Sequence, residues 1–142
     1  MKRIIFALGI VAFCFGCQKE NPEDYDLLNT KWILSFIQDT GTNAVTDFPD
    51  DAAKRISVFF DDKSDIVWFT GICNVGSGTY TFSPATGEIK INDLITTEVW
   101  CKYIEWEIYT GQNLLFASSY EIDGDSLVVF SNGEYNLYFT KD

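Results

Sequence analysis

Four cysteines, a surplus of carboxylates and no histidine define the side-chain chemistry open to this 142-residue chain. Cys17 directly follows Gly16 at the end of an apolar run, and a thiol placed just past a small residue there can be acylated before the run is cut away. With Cys17 so used, and Cys14 inside the run, Cys73 and Cys101 are left over. Two remaining thiols in a compartment where disulfides persist suggest one bridge; the other reading is two buried free thiols, since cysteine packs well as a small hydrophobe. Two thiolates without an imidazole do not complete a tetrahedral metal site. Neither a metal nor a cofactor is expected.

The absence of histidine also removes the Ser-His-Asp and Cys-His arrangements, and with them the commonest nucleophilic hydrolases. Asp61, Asp62 and Asp65, and separately Asp47, Asp50 and Asp51, lack the Gly and the terminal Glu of an EF-hand loop. Both groups fall where solvated turns are expected. A glycosidase would need two carboxyl groups at a set separation across a cleft, which is a demand on the fold. Gly71, Gly76 and Gly78 surround Cys73 without the spacing or the lysine of a phosphate loop. No catalytic residue is assigned, and the chain is expected not to be an enzyme.

The setting of Cys17 is more specific. Lys2 and Arg3, the apolar stretch from Ile4 to Phe15, and Gly16-Cys17 form a secretory leader of the bacterial lipoprotein kind; the place three residues before the cysteine, usually Leu, holds Cys14. The stretch is too short to span hydrocarbon as a helix, which takes about twenty residues. Residues 1–16 are therefore expected to be removed, leaving Cys17 as the site of lipid attachment. Several acyl chains make such an anchor durable where one would bind only marginally. Residues 17–27, with Pro22 and the acidic Glu20, Glu23 and Asp24, read as a solvated tether, and residues 28–142 as a single domain large enough to bury a core. The expected location is the bacterial cell envelope, lipid-anchored at the outer membrane and facing periplasm or surface. Loss of Lys2 and Arg3 takes the formal charge from −11 to −13, which repels nucleic acid and anionic headgroups and favours solubility. The expected partners are the membrane, through the lipid, and an envelope protein or a hydrophobic ligand; the domain is expected to be monomeric.

The elements that must position these residues are mostly strands. From Trp32 onward short alternating segments are separated by turn chemistry, the pattern of an antiparallel β protein. Trp32, Leu34 and Phe36 share one face, as do Ile56, Val58 and Phe60, and Ile89 and Ile91 flank an outward Lys90. Asp123-Gly124-Asp125 separates two further segments, and Asn132-Gly133 predicts a type I′ hairpin. Residues 39–51 read as a loop. Between Cys101 and Phe116, Ile104, Ile108 and Leu115 recur at helical spacing with Gly111 in phase and Leu114 beside them, which predicts one helix packed by that stripe and frayed or kinked near Thr110-Gly111. The abundant aromatic residues read mainly as core, although a helix-capped barrel can also leave an apolar cavity.

Several of these segments together resemble one family. Asn29-Thr30-Lys31-Trp32-Ile33-Leu34 is similar to the opening strand of META/HslJ-like (DUF306) domains, and Cys73-Asn74 followed by Gly78-Thr79-Tyr80 resembles their Cys-Asn…Gly-x-Tyr segment. Thr97-Glu98-Val99-Trp100-Cys101 stands where the family has Thr-x-Met-x-Cys before a helix, and Tyr120 to Leu127, with Gly124, resembles the closing hairpin. Ile72, Val99 and Trp100 depart from the family pattern, which marks a divergent member. The resemblance covers about residues 28 to 140. It implies a mainly β (α+β) fold: a small antiparallel β-barrel or strongly curved sheet of about eight strands with one helix packed against it. It gives Trp32, Asn74, Gly78, Tyr80, Thr97 and Gly124 structural roles, places Cys73 and Cys101 to pin the helix entry to the sheet, and brings no catalytic residues. Members are linked to heat shock, drug tolerance or virulence, so an interaction or envelope-stress role is implied. The alternative is a lipocalin-like barrel that binds a lipid or small hydrophobic ligand.

Overall fold

The computed structural model describes residues 27–142. The leader and Cys17 lie outside the described residues. Nine strands and one helix follow in the order β1 (Lys31–Asp39), β2 (Val45–Asp47), β3 (Ser57–Asp61), β4 (Ile66–Thr70), β5 (Val75–Ser83), β6 (Glu88–Thr96), α1 (Ile104–Leu115), β7 (Ala117–Asp123), β8 (Ser126–Ser131) and β9 (Tyr135–Lys141). Each strand pairs antiparallel with its neighbours, and β1 pairs with β9, so eight strands close into a barrel and β2 is an extra ribbon on β1. Closure leaves no long free edge on that side and brings the alternate side chains of every strand inward. The fold is mainly β, as the strand pattern and the family resemblance imply. Among the described residues no helix is long and apolar enough to cross a membrane.

The space inside the strands is taken by large side chains, with Trp32, Phe60, Phe69, Phe139, Leu34 and Leu127 all essentially inaccessible. An eight-stranded barrel is just wide enough for such filling. The Trp32 indole N–H donates to the carbonyl of Leu27 at 3.2 Å, so even its polar edge is satisfied. Leu27, the last residue of the expected tether, is itself fully buried.

Alternation fails at one place in β1. A bulge between Leu34 and Phe36 shifts the register against β9, and this turns Ile37 inward while Phe36 stacks on Tyr138 at 4.3 Å. A bulge adds one residue to a strand and so flips every side chain after it. Residues 39–51 are also more ordered than a loop: β2 pairs with Phe36–Gln38, and Phe48 beyond it is buried edge-on against Trp106 of the helix at 5.2 Å. The hairpins divide differently from expectation as well. The two-residue turn is Gly124-Asp125, with Gly124 at φ 57°. Asn132 and Gly133 are not among the residues of positive φ, so the turn there is not type I′. Instead residues 132–134 bow toward the helix end, and the Asn132 N–H donates to the Phe116 carbonyl at 2.9 Å.

Candidate functional site

The segment from β6 to β7 departs from the meander, and α1 lies within it. Its twelve residues run without interruption, so the helix is not frayed at Thr110-Gly111. The buried face is Trp106, Glu107, Thr110, Asn113 and Leu114, whereas Ile108 and Leu115 are 48 % and 43 % exposed. Of the apolar stripe that predicted the helix, Ile108 and Leu115 therefore face outward, whereas Ile104 is half-buried and Leu114 is fully buried. Packing is carried by a face whose polar groups are matched one by one.

Glu107 is the first of these. One carboxylate oxygen accepts from the backbone N–H of Cys73 at 2.6 Å and of Asn74 at 3.2 Å, and the other accepts from the Asn74 side-chain amide at 2.7 Å. Gly71 lets the loop close around this carboxylate, since a Cβ there would collide with it. Asn74 also reaches the opposite way. Its amide donates to the Val99 carbonyl at 2.8 Å, while its oxygen accepts from the Val99 N–H at 2.7 Å and from the Thr97 hydroxyl at 2.9 Å. The structure joins Cys73 to Cys101 as a disulfide with Cα atoms 6.3 Å apart, inside the span a bridge allows. The 71–74 loop, the 97–101 segment and the first turn of α1 thus form one cross-linked unit. The Cys73 and Cys101 sulfurs and a Glu107 oxygen lie within 4.8 Å of one another, but the sulfurs are bonded to each other and the carboxylate is occupied by N–H donors. This is a structural knot with no free nucleophile.

Helix entry is fixed next to it. Tyr103, the N-cap, sits at φ 67°, an uncommon conformation for a residue with a side chain. Its hydroxyl donates to Asp51 at 2.6 Å, and the Lys102 ammonium donates to the other oxygen of Asp51 at 2.7 Å. The bonds from Lys102 and then Tyr103 hold the Asp51 carboxyl below its usual range, and Asp51 in turn raises Lys102. At the far end Asn113 does the equivalent work. Its side-chain oxygen accepts from the Tyr135 N–H at 2.9 Å and the Ser131 hydroxyl at 3.1 Å, and its amide donates to the Tyr109 carbonyl at 2.8 Å. Gly133 is required there because a Cβ would strike the Asn113 oxygen.

Between α1 and the end of β6 lies an open groove of about 410 Å³. Leu94, Val99, Trp100, Ile108 and Leu115 supply its apolar surface, and Trp100 is 83 % exposed. Gly111 also lines the groove, and a Cβ placed on it would meet Leu94 Cδ2 at 3.9 Å, an ordinary contact. A second apolar patch, Trp68, Val75 and Ile95, lies across the outside of β4, β5 and β6.

The residues singled out in the sequence divide among these features. Asn74 and Thr97 meet in the knot with Cys73 and Cys101. Trp32 is in the barrel interior. Gly78 is where β5 crosses β6 too closely for a Cβ, which would meet the Asn92 carbonyl, and Gly124 makes the β7–β8 turn. Tyr80 is buried, and its hydroxyl donates to the Asp61 carbonyl at 3.1 Å; burial, and then the carboxylates of Asp65, Asp62 and Asp61, push its pKa up to about 12. Cys17 lies outside the described residues. Glu107 and Asn113 escaped sequence reasoning because they are polar residues on the packed face. The signal was present in Trp106, Thr110, Asn113 and Leu114, a second helical stripe with polar members.

Comparison with known proteins agrees with this architecture. A model of the META domain family matches residues 25–142. No curated protein matches the sequence. Among solved structures, the NMR structure of a protein from Burkholderia xenovorans superposes with a TM-score of 0.68 at 14 % identity, covering 100 % of this chain and 99 % of that one. The crystal structure of a DUF4847 family protein from Bacteroides vulgatus gives a TM-score of 0.61 at 13 % identity, over 80 % of this chain and 93 % of that one. At these identities the likeness is one of fold.

Proposed function

Because the chain belongs to the META domain family, whose model spans residues 25–142, we propose that it is a lipid-anchored envelope protein whose domain acts through contact with another molecule rather than by catalysis. The observation that carries this reading is the groove beside α1: large apolar side chains, Trp100 foremost, are held out to solvent by a scaffold whose Glu107, Asn74 and Asn113 are hydrogen-bonded. Exposed apolar surface grouped in this way marks interaction sites. The leader ending in Gly16-Cys17 supports attachment to the outer membrane, and the absence of histidine from the whole chain supports a non-enzymatic role. An envelope-stress function fits both. The lipocalin-like alternative has less support, since Trp32, Phe60, Phe69 and Phe139 occupy the space in which a ligand would sit.

Expression of the full chain with labelled palmitate tests the anchor. Wild type is expected to carry label and fractionate with membranes. Cys17→Ala is expected to lose both while remaining folded, because Cys17 precedes the span the family model matches, residues 25–142. Equal labelling of the variant would overturn the anchor reading. A lipid held stoichiometrically in native mass spectrometry of the unacylated variant would favour the alternative.

A further inference from the structure

The groove has a sign as well as an apolar floor. Among the described residues its only charged lining side chains are Glu98 and Glu107. Glu107 is committed to Cys73 and Asn74, so Glu98 is the charge that an incoming partner meets. Glu105, exposed in the first turn of α1 three residues before Ile108 but outside the groove lining, adds negative charge to the same end of the helix. Lys102, the nearest cation in sequence, is paired with Asp51. The chain as a whole carries −11, and such a field draws cations toward a negative cleft.

The groove also borders main chain. β6 meets β7 at a single registered pair, Glu88 with Ser119, so toward Thr96 it has β5 on one side and, among the described residues, no strand on the other. An edge of this kind accepts an extended peptide. We propose that the groove docks a basic amphipathic segment of a partner polypeptide. Its apolar side chains would lie against Leu94, Ile108 and Leu115, and its Lys or Arg would sit over the Trp100 ring, where a cation is attracted by the π face, within reach of Glu98. An anionic lipid surface fits poorly, because the rim repels it. The inference rests on the interaction reading above and adds the partner's chemistry.

The lipidated full chain in nanodiscs of zwitterionic lipid, titrated with a fluorescein-labelled peptide of alternating Leu and Lys, tests it against an otherwise identical Leu and Glu peptide. The basic peptide is expected to bind, with affinity that falls as salt rises, and the acidic one to show no binding. Trp100→Ala and Glu98→Lys, both at exposed positions, are each expected to weaken binding about tenfold. Trp68→Ala, on the other apolar patch, should leave it unchanged. Equal binding of the two peptides, or full affinity in Trp100→Ala, would overturn the proposal. A photocrosslinking amino acid in place of Trp100, used in cells, separates the two levels of the argument. A crosslinked protein without peptide binding rejects the basic chemistry and keeps the interaction reading; neither signal rejects both.

Discussion

The two seams of the barrel are built on different principles. Where β1 meets β9, seven registered pairs run from Trp32 opposite Lys141 to Asp39 opposite Tyr135, and the same two strands pack Trp32, Leu34, Leu137 and Phe139 into the interior. Where β6 meets β7 the ladder has one pair, and α1, in the connection between them, packs on β6, β8 and β9. That helix is held at its start by the disulfide, Glu107 and Asn74, and at its end by Asn113. A ladder gains its strength from many equivalent bonds, so losing any one is tolerable. A helix fixed at two points depends on a few buried polar groups, each costly to leave unpaired. The second seam is also where the groove and Trp100 are displayed, so the part of the wall assembled from individual contacts is the part that offers surface to a partner.

The disulfide offers the strongest way to break this contrast. Closing a loop of 28 residues constrains the unfolded chain by about 3 to 4 kcal/mol in the chain-entropy model. Cys101→Ser, or reduction of the wild type, is expected to lower the urea midpoint accordingly. Hydrogen exchange then locates the change: amides of α1 and of residues 97–103 should lose protection before those of β1 and β9. Uniform loss across both seams would mean that the bridge stabilises the whole barrel alike, and the division drawn here would fail.

The clamp at the other end of α1 is smaller and can be isolated. Asn113→Ala removes the acceptor for Tyr135 and Ser131 and the donor to Tyr109, at a cost of about 1 to 3 kcal/mol for buried groups left unpaired. Gly133→Ala should destabilise from the facing side by pushing on the same Asn113 oxygen. Because the two act on one contact, the double variant is expected to cost less than the sum of the singles. Strict additivity would show that Asn113 and Gly133 serve separate purposes.

How much of this could be read from the chain follows the same division. The laddered half is legible, since period-two alternation in β3 and β6 reports burial directly, as with Ile56, Val58 and Phe60. It misled only at the β1 bulge, where one added residue exchanged Phe36 for Ile37 without any mark in composition. The helical seam was legible in existence but not in orientation. Ile104, Ile108 and Leu115 give the stronger periodic signal, and a rule that buries the whole apolar stripe misplaces Ile108 and Leu115, which serve an outward groove. Glu107 and Asn113 are core residues because loops distant in sequence bring N–H donors to them, and no local pattern records such an arrangement. Asn132-Gly133 misled for a related reason: the glycine there answers a steric demand from Asn113 rather than a turn requiring positive φ.

Tyr80 provides the mildest test, in the laddered half. Its hydroxyl is held under the β3–β4 turn, donating to the Asp61 carbonyl, and its pKa is raised to about 12 by burial and by Asp65, Asp62 and Asp61. A raised pKa means that the folded state keeps a proton the unfolded chain releases near pH 10. The stabilisation is therefore complete below about pH 10 and is lost as pH climbs toward 12. Tyr80→Phe cannot ionise, and at neutral pH it forfeits one hydrogen bond, about 1 kcal/mol. The gap between wild type and variant in urea unfolding should then narrow from pH 9 to pH 11.5, as the wild type alone loses this contribution. Ionisation elsewhere in the chain is common to both proteins, so the difference isolates Tyr80. A gap that stays constant with pH would show that the hydroxyl ionises in the folded wall as readily as in the unfolded chain, and that the laddered half is more open to water at this turn than its packing indicates.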